Sequence, residues 1–191
     1  MVAMQKLSAA DMDGLRWTRT GTGHSYELKS GSDPIASIRW ERPSETEATV
    51  EGSGVKWDLK RSGFLNPLAH VRDSETGKEL GVLHVHMRTS LLQLTDGTAY
   101  RWVRTGFWIP AWEFQDGTGT ELVDFEPVRE EARLEGGLVG VSTKGRTDPN
   151  LLLLLVVGWY FIVQSWVEDE AVAASHAVLD AANRAVLDPP G

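Results

Sequence analysis

Leu151 to Val163 reads LLLLLVVGWYFIV, thirteen residues with no charge and no strongly polar side chain. Elsewhere apolar residues alternate with polar ones; here they run on. As a helix the stretch spans about 20 Å at 1.5 Å per residue. That is short of the roughly 30 Å hydrocarbon core of a bilayer. A helix apolar on every side needs a sheath. Asp148-Pro149 marks its start, because Asp caps free N–H groups and Pro suits the first helical position. The predicted central helix covers 149–165 and includes Leu151, Leu155, Gly158, Trp159 and Ile162. A mid-helix glycine costs about 1 kcal/mol relative to alanine. Gly158 therefore predicts a bulky neighbour, such as a tryptophan, that needs the room.

The segments before the helix can supply the sheath. Predicted strands are 16–20, 24–30, 34–41, 46–51, 54–62, 67–73, 79–88, 98–105, 111–116, 120–126 and 132–142. Between them stand turn signals such as Gly52-Ser-Gly54, Asp96-Gly97 and Asp116-Gly117, where residues tolerant of positive φ belong. No connection has room for a crossover helix, so the pairing is antiparallel. Val55, Trp57 and Leu59 share one face, and Lys56, Asp58 and Lys60 the other. That is a sheet with a dry side and a wet side. The expected fold is mostly β: a closed antiparallel barrel of about eleven or twelve strands around a central hydrophobic helix. Residues 1–15 form a lead-in, 16–167 the barrel, and 168–191 a helical extension. In that extension Val172, Leu179, Ala182 and Val186 make a narrow apolar stripe, and a second copy of the chain could bind through 171–187.

The net charge of −8 argues against sequence-independent nucleic-acid binding, and also against simple electrostatic attraction to anionic lipid. The chain has no cysteine, which excludes disulfides, thiolate–zinc sites and thiol nucleophiles. Residues 1–14 do not read as a secretory signal, and a cytoplasmic location is expected, with membrane association a further option. Most of the eight tryptophans are expected in the core or its mouths.

Many short strands with Asp-Gly turns, closed by one apolar C-terminal helix, resemble the tubby C-terminal-like superfamily. That group includes tubby domains, LURP-one-related proteins and phospholipid scramblases. Two pieces carry the resemblance: the hairpin from Ala111 to Phe125, and Asp148-Pro149-Asn150 followed by the apolar run. It covers residues 16–167 and implies a twelve-stranded barrel wrapped around a hydrophobic helix. Some tubby domains bind phosphoinositides through basic residues, and scramblases carry an acidic, calcium-linked segment before the helix. Here Ser142 to Thr147 is polar and basic, so neither lipid nor calcium residues carry over.

The residues themselves offer two candidate sites. His84 and His86 are two apart on one strand face and would bind a metal if a third ligand converged. Their strand's better core face is Leu83, Val85 and Met87, which places both imidazoles outside. Arg88, Arg101 and Arg104, with Trp102 between the last two, would suit an anionic headgroup or an aromatic ligand. The competing reading is cross-strand pairing of these cations with acidic neighbours. No nucleophile elbow, phosphate loop or dinucleotide fingerprint occurs, and no cofactor is expected. The sequence thus reads as a non-catalytic binding module that uses its barrel surface toward an unknown protein or anionic phospholipid. The alternatives are a tail-anchored membrane protein spanning with 151–167, and a ligand- or metal-binding barrel with enzymatic activity.

Overall fold

A computed structural model describes residues 12, 14–21, 24–42, 46–63, 67–86, 89–106, 110–130 and 133–168. Its strands are β1 (Leu15–Arg19), β2 (Ser25–Ser30), β3 (Asp33–Trp40), β4 (Glu47–Gly52), β5 (Val55–Ser62) and β6 (Leu68–Asp73). Then come β7 (Glu79–His84), β8 (Thr89–Leu94), β9 (Ala99–Thr105), β10 (Ala111–Gln115), β11 (Glu121–Glu130) and β12 (Arg133–Val141). Each pairs antiparallel with the next, and β12 pairs with β1 to close the barrel. A short 3-10 turn (Gly145–Thr147) leads to the helix α1 (Leu151–Glu168).

Alternation puts one face of every strand inside. Val50 pairs with Trp57 and Ala48 with Leu59, and Leu59 in turn faces Val71, so the inner rows run continuously around the wall. All of these side chains are buried. On the outer face Lys60 meets Glu47 at 3.0 Å and Lys56 meets Glu51 at 3.1 Å. Such exposed pairs contribute little to stability.

The helix fills the barrel. Every residue from Leu151 to Gln164 is buried, and 78% of its eighteen-residue apolar window is enclosed. It is long and apolar enough to cross a membrane, yet the strands already cover it on all sides. Burying each Leu, Val or Ile side chain stabilises by about 1.5–3 kcal/mol. Trp159 stacks on Trp17 with centroids 5.6 Å apart and meets Tyr26 edge-on at 5.4 Å. Tyr160 stacks on Trp40 at 5.8 Å, and its hydroxyl donates to the Thr46 carbonyl.

Asp148 caps the helix start. Its Oδ1 accepts from the Asn150 N–H at 2.8 Å and from the Tyr100 hydroxyl at 2.8 Å. Burial pushes the Tyr100 phenol well above its ordinary range, so it remains a donor. The first turn begins around Pro149 as expected, while the regular helix starts at Leu151 and runs past the predicted 165 to Glu168. Trp166 packs against the core and Arg61 pairs with Glu168, which hold those added residues in place. The lead-in (apart from Met12, Gly14 and Leu15) and the extension after Glu168 lie outside the described residues.

The predicted strand 79–88 is shorter, since β7 ends at His84, and β8, which no predicted strand covers, begins only at Thr89. Its inward residues are Ser90, Leu92 and Leu94, and Leu91 is apolar yet faces out. That combination hides the alternation. β11 also runs four residues beyond the predicted 126, through Pro127. Proline is tolerated there because it lies past the last β10 partner, Trp112 opposite Phe125, and so has a strand on one side only.

The up-and-down order gives the barrel two unlike ends. At the helix start the links are tight: Ser53 and Gly54 both have positive φ, 49° and 74°, as a two-residue hairpin requires. Asp73, Asp96 and Asp116 each accept a following Thr backbone N–H at 2.8 Å. At the opposite end the last helical turn lies beside Arg19, His24 and Leu134, and Glu168 pairs with Arg61.

Gly158 makes the tightest test of the enclosed helix. A Cβ there would lie 2.5 Å from Phe125 Cζ and 3.0 Å from Trp102 Cζ3. Alanine would gain about 1 kcal/mol of helix propensity, but overpacking costs about 1–3 kcal/mol. We expect Gly158→Ala to lower the urea midpoint and Gly158→Leu to lose several times more or fail to fold. A Gly158→Ala variant at least as stable as the parent would show that the rings have room to yield.

Candidate binding cleft where the helix leaves the barrel

Alternation separates the residues that the sequence suggested as a headgroup patch. Trp102 points inward, is 6% exposed, and packs on Phe114 at 4.7 Å and Phe125 at 5.5 Å. Arg101, its chain neighbour, therefore faces the other way, outside, between Leu91 and Gln115. Arg104 lies at the rim over the Trp112 ring, 5.7 Å from its centroid. Arg88 is outside the described residues. Trp102 thus turns away from Arg101, since consecutive strand residues cannot share a face, while Arg104, two residues on, follows Trp102 on the same face at the rim.

His84 is partly buried on the outer side of β7, and His86 is exposed just beyond the strand end. The backbone of His86 is tied to Ser90, whose Oγ accepts its N–H at 3.2 Å. Among the described residues no group of three His, Cys, Asp or Glu side chains could hold a metal ion. His70 Nδ1 contacts Glu79 at 2.7 Å instead.

Leu151, Leu155, Gly158, Trp159 and Ile162 are all enclosed by the barrel. They are core, not surface. With the interior occupied, the mouth at the helix C-terminus offers a cleft built from described residues. Leu15, Trp17 and Arg19 share one face of β1 at i, i+2 spacing. Leu15 and Trp17 enter the core, and Arg19, the last of the three, reaches the rim. With His24 and Tyr26 it lines one wall of the cleft, and Leu134, Val163, Trp166 and Val167 complete it. The cleft is shallow and opens to solvent. Tyr26 donates its hydroxyl to the Leu134 carbonyl at 3.1 Å. Arg129 from β11 covers the Trp166 ring at 4.8 Å.

Arg19 carries a signal in the sequence that the candidate sites above do not include: an arginine in phase with two core residues at a strand end. Trp166 stands at a mouth of the barrel, one of the two places where most of the eight tryptophans were expected. No family model matches the chain, and no curated protein or solved structure matches it.

The outer face of β10 and β11 carries the opposite charge. Glu113 stands directly across from Asp124, with Glu126 and Glu121 close by. Burial, then the Glu126 charge, raises the Asp124 carboxyl. Burial and the Asp124 charge raise Glu121. At the tight turns, hydrogen bonds from Thr76 and Thr98 lower Asp73 and Asp96, and Lys144 with Thr118 lowers Asp116 strongly.

These shifts act on stability in opposite directions. A carboxyl raised on folding contributes stability below the ordinary carboxylate range and loses it as pH rises through the folded value. A lowered one contributes above that range and loses it as pH falls through the folded value. We expect Asp124→Asn to raise the thermal midpoint at pH 7, by about 0.2–1 kcal/mol in stability from the relieved cross-strand repulsion. The gain should shrink toward pH 4. Asp116→Asn should instead lower the midpoint at pH 7 and converge on the parent in strong acid. Thermal melts across pH 2–8 check both, and a constant Asp124→Asn effect over that range would contradict the assignment.

Proposed function

We propose that the protein is a non-catalytic binding module that works from its outer surface and its ends, toward a protein partner or an anionic phospholipid membrane. One observation carries the reading: the barrel interior, where ligand-holding barrels keep their site, is occupied by buried side chains from Leu151 to Gln164. The resemblance to the tubby C-terminal-like superfamily supports it, because a barrel sheathing its own helix is the layout that resemblance implies. The enclosed helix favours this reading over a tail-anchored span of 151–167, since a span would need the strands to release it.

Hydrogen exchange tests the proposal in the presence of phosphatidylcholine vesicles with and without about one-third anionic lipid. We expect the amides of residues 151–164 to stay protected throughout, with any change confined to outer strands and connections. Lipid association should fall with salt, as surface charge contacts do. Loss of protection across the helix on adding vesicles would favour the membrane span. If no amide changes with either vesicle, the lipid option falls and a protein partner remains.

A further inference from the structure

Three arginines gather where the helix leaves the barrel, and their charges are met differently. Arg61 is paired with Glu168. Arg129 stacks on Trp166, and Arg19 lines the cleft beside the same indole. Among the described residues neither Arg19 nor Arg129 has a carboxylate within ion-pair distance. The Nε of Arg19 is buried and has no hydrogen-bond acceptor among those residues. A buried donor without an acceptor is costly. The negative end of the helix amounts to only about half a charge, too little to offset two guanidinium groups, and Arg19 makes no hydrogen bond to it.

The surroundings of Arg19 define what would satisfy it. Tyr26 is committed to the Leu134 carbonyl, and Leu134 and Val163 make the cleft floor apolar. Poor solvation strengthens a charge contact made there. The guanidinium fork matches the two oxygens of a carboxylate or phosphate. Trp166 supplies a flat wall, itself capped by the Arg129 cation. We infer that this cleft is a binding site for a small oxyanion, a carboxylate or phosphate group gripped by Arg19 between the β1 wall and Trp166. The inference rests on the binding-module reading and gives it a ligand chemistry.

Isothermal titration of the full chain at constant ionic strength tests it, with acetate and inorganic phosphate as probes. Saturable binding of at least one probe is expected. Arg19→Gln should weaken it by about tenfold or more, as loss of a charge-assisted contact does. Arg19→Lys, which keeps the charge but not the fork, should fall between. Arg16→Gln removes the same charge from the exposed face of the same strand and should bind like the parent. Circular dichroism establishes that each variant is folded, and Arg19→Lys serves if Arg19→Gln is not. A parallel arm uses phosphatidylcholine vesicles with and without phosphatidic acid. If only those vesicles bind, and Arg19→Gln releases them, the oxyanion comes from a lipid headgroup and the site stands. If no probe binds, or Arg16→Gln weakens binding as much as Arg19→Gln, the site is overturned. Vesicle binding that Arg19→Gln leaves intact would overturn the cleft while leaving the surface-module reading in place.

Discussion

Contact between the helix and the inner wall is the constraint from which the rest of the structure follows. Gly158 is a point of close approach, where Phe125 and Trp102 occupy the space a side chain would need. Gly137 does the same for the wall, since a Cβ there would lie 2.7 Å from the Trp159 ring. One glycine on each partner lets large rings pass between helix and sheet. Close packing of this kind tolerates little change in volume. It also commits the interior to structure and leaves the outer face, the rim and the ends as the accessible surface.

The two ends are set by topology. In an up-and-down barrel alternate connections fall at opposite ends, and the helix, starting after β12, must run from one to the other. The starting end is closed by short turns whose Asp and Thr side chains satisfy the backbone locally. The Tyr100–Asp148–Asn150 bonds fix the helix start against the wall. The far end must leave a gap for the chain to emerge. A cleft lined by polar and cationic groups arises there because inward-facing strand positions run out of core to fill, as they do at Arg19.

Much of this architecture was legible in the chain. The unbroken apolar run, its Asp-Pro start and the glycine within it predicted an enclosed helix with a bulky neighbour, and Trp102 with Phe125 supplies that neighbour. Antiparallel pairing followed from the short connections. β8 was not legible, because Leu91 faces out and disguises a period of two. The proposed Arg–Trp patch went astray for a different reason. It grouped Arg101 with Trp102 by nearness in sequence, whereas a strand sends neighbours to opposite faces, and Arg104, on the Trp102 face, stands at the rim over Trp112. The cleft was not legible either, since it joins β1, β2, β12 and the last helical turn, and their closure is a property of the whole barrel.

The order of elements along the chain also bears on how the fold is reached. All twelve strands are synthesised before the rod that plugs them. Until Gln164 has emerged from the ribosome, the lining of Leu, Val and Trp side chains has nothing to cover it. The seam between the first and last strands joins residues more than a hundred positions apart, and such distant pairing is slow to form. Nascent chains should therefore present a greasy trough during translation, a natural client for holding chaperones, and completion of the fold should be post-translational and abrupt.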